Sequence, residues 1–255
     1  MSSEYNPHGT WIAAGGTMLG VLRRHRSLGV VLVLALVSSG CAATSFRTLN
    51  RLPDESAKRR IVLLTPDVEL NILHAGGVQE PQAEWTRNAR RYIGENLARR
   101  FRNINASMTE GPALDPDVTD DAREVQLLKL HGAVGLAILL HQYPTAYQLP
   151  TKAGKFEWSL GPGTSHLKKK YGADYALFVF VRDSYASSGR VAFIILAALL
   201  GASVQGGVQL GFASLVDLET GRVVWFNRLA RAAGDLRTPA AAEETVTQLL
   251  ADFPQ

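Results

Sequence analysis

The chain holds one cysteine in 255 residues. That excludes an intrachain disulfide, a cysteine-based metal cluster and Cys-x-x-Cys redox chemistry. There is no His-Glu-x-x-His zinc motif, no internal repeat and no low-complexity tract. Long hydrophobic runs are also missing: Leu28–Val37 and Val191–Leu200 are each about ten residues, too short to span a bilayer as a helix. Nor is there a long strand pair of alternating polar and apolar residues, which a transmembrane barrel wall requires.

What is there begins with "VLVLALVSSGCAATS", residues 31–45, which places the lone thiol directly behind an apolar run. Arg23, Arg24 and Arg26 precede the run, and Ser38, Ser39 and Gly40 follow it before Cys41. The order basic, apolar, small, cysteine resembles a bacterial lipoprotein signal. In such signals the cysteine is acylated and becomes the first residue of the mature protein. The resemblance implies cleavage between Gly40 and Cys41, a diacylglycerol and a fatty acyl group on Cys41, and no other cofactor. Ser38 departs from the pattern, which usually carries Leu there. An ordinary secretory signal with a coincidental cysteine, or an uncleaved anchor, are the other readings. Residues 1–17 fit no part of a signal, and Met18 opens a well-proportioned one, so translation is expected to begin there. Ala42 is not the Asp that tends to retain such lipoproteins at the inner membrane, which implies delivery to the outer membrane.

Removing the three arginines and one glutamate of residues 1–40 from the 27 basic and 23 acidic side chains leaves 24 and 22, a net of +2. A charge that small is no argument for nucleic acid as a partner. About 215 residues remain, enough for one domain with a real core. Residues 41–59 read as the lipidated cysteine and a polar tether, and 60–255 as the domain.

Within the domain, "RIVLLTPDVEL" (60–70) predicts a buried strand and "ILHAGGVQEP" a loop. Trp85, Ala89, Ile93, Leu97 and Phe101 recur every three to four residues and predict a helix over 82–102. "EGPALDPDV" reads as a loop. Asp121 and Glu124 form a capping box for a helix over 120–143, whose second half, "AVGLAILL", is apolar all round and is expected to be buried. Gly161-Pro162-Gly163 is a turn, 164–171 a short helix with a basic exit at Lys168–Lys170, and Gly172 its stop. "DYALFVFVRDSY" is a strand. "VQLGFASLVDLETGRVVWFNRLA" is a hairpin about Glu219-Thr220-Gly221. Thr238 and Pro239 start a last helix carrying Val246, Leu249, Leu250 and Phe253. This order predicts an α/β domain: one mixed sheet with helices packed on it.

"YGADYALFVFVRDSY" followed by "GFASLVDLETGRVVWFNRL" resembles the second half of small α/β domains in periplasmic and outer-membrane lipoproteins. These include the amino-terminal domain of the Tol translocation protein TolB, the curli secretion lipoprotein and the lipoprotein activators of penicillin-binding proteins. Proteobacterial lipoproteins of unassigned function look similar. The resemblance covers about residues 160–230, with weaker support from 60–104. It implies a fold, and fold does not fix function.

Candidate chemistry is sparse. Ser165-x-x-Lys168 matches the serine motif of penicillin-binding enzymes, without the companion Lys-Thr-Gly. "GASVQGG" (201–207) spaces glycines like a phosphate loop but ends in Gly207 where Lys is required. His131 and His141 lie on one predicted helix, roughly 80° apart around its axis, with no third ligand. Asp67, Glu69 and Asp183 flank strand ends without evident partner groups. Arg87, Arg90, Arg91, Arg99, Arg100 and Arg102 stud the first long helix, as a solvated face or a contact for anions. The expectation is a protein without enzymatic activity.

The segment 190–203 interrupts the second half of the domain. Three readings compete for it: a buried core helix, an element dipping into the membrane near the lipid anchor, or a surface for self-association or a partner. Val191, Phe193, Ile194, Ile195, Leu196, Leu199 and Leu200 are the candidate contact residues. The sequence thus predicts a cell-envelope protein held to the membrane by lipid, binding a protein partner or itself. The alternatives are a subunit of an oligomeric secretion or transport assembly and, third, a cell-wall serine enzyme.

Overall fold

The computed structural model describes residues 42–48, 60–102, 107–111, 123–232 and 235–254. Eight strands form one mixed sheet: β1 (Ala42–Thr48), β2 (Arg60–Leu63), β3 (Asp67–Leu73), β4 (Gln79–Pro81), β5 (Ser107–Glu110), β6 (Tyr175–Ala186), β7 (Gln209–Asp217) and β8 (Val223–Arg231). Five α-helices are seen among the described residues: α1 (Ala83–Arg102), α2 (Arg123–Gln142), α3 (Ser165–Tyr171), α4 (Ser188–Leu199) and α5 (Pro239–Leu249). The spatial order is β1-β8-β7-β6-β2-β5, with β3 on β6 and β4 on β3. β1, β8, β7 and β6 run antiparallel in succession, while β2 and β3 lie parallel to β6.

β6 is the spine. Tyr175, Leu177, Val179 and Val181 face one layer, and Ala176, Phe178 and Phe180 face the other. Both faces are covered, so the strand reads as a continuous apolar run rather than an alternation. On the first face lie α1, through Ala89, Ile93, Leu97 and Phe101, and α5, through Ala242, Val246 and Leu249. On the second lie α2, through Leu127, Leu128 and Ile138, and α3, through Leu167. A stack of Phe180, Phe212 and Phe226 crosses the second face, with ring centroids 4.6 and 5.4 Å apart. α2 lies hard against it at two glycines: a Cβ on Gly135 would stand 2.0 Å from the Phe212 ring, and one on Gly132 3.2 Å from Phe180.

The residues that carry the lipoprotein-domain resemblance have structural work. Gly172 ends α3 with φ 62°, and Asp174 pairs with Arg60 at 2.7 Å, tying β6 to β2. Asp217 Oδ1 accepts from the Glu219 and Thr220 amides and the Thr220 hydroxyl, closing the β7–β8 turn. Gly221 has φ 74°, and a Cβ there would meet the Gly161 carbonyl at 2.1 Å.

Several expectations are corrected. The single strand over 60–70 is two strands, β2 and β3, which pair successively along the same edge of β6. The break falls at 64–66, where Pro66 has no N–H to continue a ladder. The "ILHAGGVQEP" loop is half strand: β3 runs to Leu73 and β4 pairs back on it, with 74–78 as the turn between them. Glu110 closes the four-residue β5 instead of opening a loop. The polar tether over 41–59 is in part strand, because residues 42–48 form β1 on β8. The second half of α2 is buried on one side only, with Leu136 and Leu140 exposed. Gly40, Cys41 and Asp121 lie outside the described residues.

Candidate functional site

The segment predicted to interrupt the sheet does so between β6 and β7, and it forms α4 and a return segment over 200–208. Its base is closed by hydrogen bonds. Ser184 exchanges backbone and hydroxyl bonds with Val208 at 3.0–3.2 Å. The Ser187 amide donates to the Leu73 carbonyl at 3.0 Å, and its hydroxyl accepts from the Arg190 amide at 3.1 Å as the helix N-cap. The Arg190 guanidinium donates to the Gln205 carbonyl at 2.7 and 3.2 Å and to the Ala75 carbonyl at 3.2 Å. One cation thus clasps the start of α4, its return segment and the β3–β4 turn. Gly207 is required by contact: a Cβ there would stand 1.9 Å from the Ser184 carbonyl oxygen.

Above the base the element covers itself on one stripe only. Arg190 reaches Gln205, Ile194 lies 3.7 Å from the Cβ position of Gly206, and Ala197 accepts from the Ala202 amide at 2.9 Å. Ala197 is the one buried residue of the helix. Leu199 and Leu200 are 79% exposed, Ile195 and Leu196 57%, Val191 and Phe193 45%. At 100° per residue the exposed apolar side chains span roughly 200° of the helix, from Val191 round to Phe193. The core-helix reading of 190–203 is therefore overturned. No helix among the described residues is long and apolar enough to cross a membrane.

A second apolar strip lies on α2, where Leu130, Leu136 and Leu140 are exposed. The sequence reading missed it, although a signal was present. Gly132 and Gly135 mark the side pressed on the phenylalanine stack; at 100° per residue Leu130 lies opposite them, and Leu136 and Leu140 lie on the flank, about 70° and 110° round from their mean direction.

The other candidates are held in structural roles. The Ser165 hydroxyl donates to the Pro162 carbonyl at 2.9 Å, while Lys168 pairs with Glu219 at 2.7 Å, so the two do not converge. His131 is buried, 2.8 Å from the Ser214 hydroxyl and stacked on Phe178, and burial lowers its pKa to about 3. His141 bonds the Tyr147 carbonyl. No group of three metal-ligating side chains occurs among the described residues. Asp67 and Glu69 meet Arg182 at 2.8 and 3.6 Å. Asp183 is buried and accepts from Tyr185, Gln209 and the Leu236 amide; burial nevertheless raises its pKa. On α1, Arg91 pairs with Glu95, and Arg99 approaches Glu243.

No protein-family model and no curated protein sequence matches the chain. Among solved structures it is similar to the PelC dodecamer from Paraburkholderia phytofirmans, at 12% identity over 83% of this chain and 96% of that one, with a TM-score of 0.38. It is similar to the LpoB C-terminal domain from Salmonella enterica, at 14% identity over 69% and 85%, with a TM-score of 0.26. A DUF4136 family protein from Bacteroides thetaiotaomicron gives 11% identity over 84% and 96%, with a TM-score of 0.28. These overlaps are broad but loose, and likeness at this level transfers no function.

Proposed function

We propose that the chain is a lipid-anchored protein of the bacterial cell envelope, acting as a non-enzymatic binding module at the periplasmic face of the outer membrane. Cys41 carries the lipid, and the α/β domain meets a protein partner. The observation that carries this reading is α4: a well-packed domain holds an apolar helix out in water, its one charge, Arg190, tied into a hydrogen-bonded base. Contiguous exposed apolar surface marks a site of association, with a membrane as well as with a protein. The lone cysteine behind the apolar run supplies the anchor. Several acyl chains hold a protein firmly where one is marginal, and confinement to a membrane raises effective concentration near partners.

The second reading is a subunit of an oligomeric secretion or transport assembly. The outer strip of α2 at Leu130, Leu136 and Leu140 favours it, because a self-associating subunit needs apolar surface beyond an anchor. One experiment separates the two: the native mass of the full-length lipidated protein, extracted in mild detergent after crosslinking in cells. A monomer joined to one foreign protein supports the adaptor. A ring-sized homo-oligomer overturns it in favour of the assembly. The serine-enzyme reading falls if a β-lactam probe leaves Ser165 unlabelled.

A further inference from the structure

We propose that α4 and its return segment form a membrane foot, inserting into the same leaflet that holds the acyl chains of Cys41. The inference rests on the lipid-anchor reading and adds to it a second, non-covalent contact with a defined place in the fold.

Strand register supplies the first argument. Ala42, the residue after Cys41, is paired with Arg231 of β8; Arg231 is paired with Gln209 of β7, and Gln209 with Asp183 of β6. Five residues beyond Asp183, α4 begins. Ala42 and Asp183 therefore lie at one end of the sheet, three strand spacings apart, roughly 14 Å, and α4 leaves β6 beyond that level. The β3–β4 turn with exposed Val78 lies at this end too, since Leu73 pairs with Ala186. The β7–β8 turn at Thr220 is at the other end, because Asp217 pairs with Tyr175.

Shape and chemistry select lipid over a second protein as the occupant. The exposed apolar arc of α4 runs over about half its circumference, wider than the roughly 100° stripe with which a helix packs on one protein face. Residues 191–208 contain no charged side chain. The far tip is also prepared for an apolar phase, where an unmet backbone carbonyl is costly. The Leu196, Ala197 and Ala198 carbonyls accept from the Leu200, Gly201 and Ala202 amides. At twelve residues the helix is about 18 Å long, the depth of one leaflet and not of two. Arg190, the one cation of the element, stays at the base, bonded to carbonyls at the level where headgroups would lie.

The test uses the full chain. Acylation of Cys41 leaves no other thiol, so Leu199→Cys, Leu196→Cys and, as reference, Thr220→Cys each give a unique site for a nitroxide label. The proteins are reconstituted in vesicles of phosphatidylethanolamine and phosphatidylglycerol, and label collisions with oxygen and with a water-soluble nickel chelate are measured. The expected result is loss of nickel collisions and gain of oxygen collisions at 199 and 196, with the opposite at 220. Equal nickel access at 199 and 220 with Cys41 acylated overturns the foot and leaves the anchor standing. Dipolar coupling between labels at 199 on two copies, with neither quencher admitted, also overturns the foot, in favour of self-association. A free thiol at Cys41 in the mass spectrum overturns the anchor and the foot together.

Discussion

At the scale of single residues, two buried titratable groups pull stability in opposite directions. His131 is neutral in the fold because burial lowers its pKa from 6.5 to about 3. Its Nδ1 has no hydrogen-bond partner among the described residues, and Nε2 shares one hydrogen bond with the Ser214 hydroxyl. Between pH 6.5 and 3 the unfolded chain binds a proton that the folded one refuses, so stability falls on acidification, by up to about 1.4 kcal/mol per pH unit. His131→Phe is expected to flatten that slope, while costing about 1–3 kcal/mol at pH 7 by leaving Ser214 without its partner. Urea midpoints at pH 7 and 4.5 check both effects, and an unchanged slope refutes the assignment. Asp183 behaves oppositely: burial raises its pKa above 3.8, so its ionisation costs stability as the pH rises through the raised value. Asp183→Leu would leave the Tyr185 hydroxyl and the Gln209 amide without an acceptor, while the Leu236 N–H keeps the Tyr185 oxygen at 2.7 Å. A loss of about 3 kcal/mol or more is expected. Asp183→Asn keeps an acceptor and should lose less; thermal melts of the pair give the order.

At the scale of elements, the base of α4 makes its own prediction. Gly207→Ala forces a methyl group into the Ser184 carbonyl and should loosen the 200–208 segment, whereas Gly206→Ala meets only Ile194 at 3.7 Å and should be neutral. Amide exchange at Val208 and Arg190 reads the difference: faster in the first variant, unchanged in the second. The same scale shows what the sequence made legible. The first long helix, the short helix ended by Gly172, the β7–β8 hairpin and the last helix announced themselves through apolar period, caps and turn residues. β4 and β5 did not, because three or four residues carry no period. β1, "AATSFRT", has no apolar alternation to separate it from a tether, and only its pairing with β8 defines it. The apolar second half of α2 misled for a physical reason: burial depends on what lies opposite, and only the side with Gly132 and Gly135 has the sheet against it. Of the candidate site, the residues of 190–203 were legible as an anomaly. The clasp by Arg190 was not, since its acceptors are backbone carbonyls of distant segments.

At the scale of the whole molecule, the anchor reading predicts that the full chain enters the detergent-rich phase of a Triton X-114 separation and incorporates a palmitate analogue. Cys41→Ser should abolish the labelling and move the protein largely to the aqueous phase, because one short apolar element binds membranes weakly without acyl chains. Retention of label in the variant would place the acyl group elsewhere. The pairing of β1 has a further consequence for such a molecule. Eighteen flexible residues after the lipid would let a domain search about 60 Å away from its membrane. Here the sheet begins at Ala42, so the leash is a single peptide unit, about 3.8 Å between Cα atoms. The domain is then a post rather than a fishing line. It is free to drift and spin in the plane of the bilayer but holds one end down, and whatever it meets must come to the membrane surface to be met.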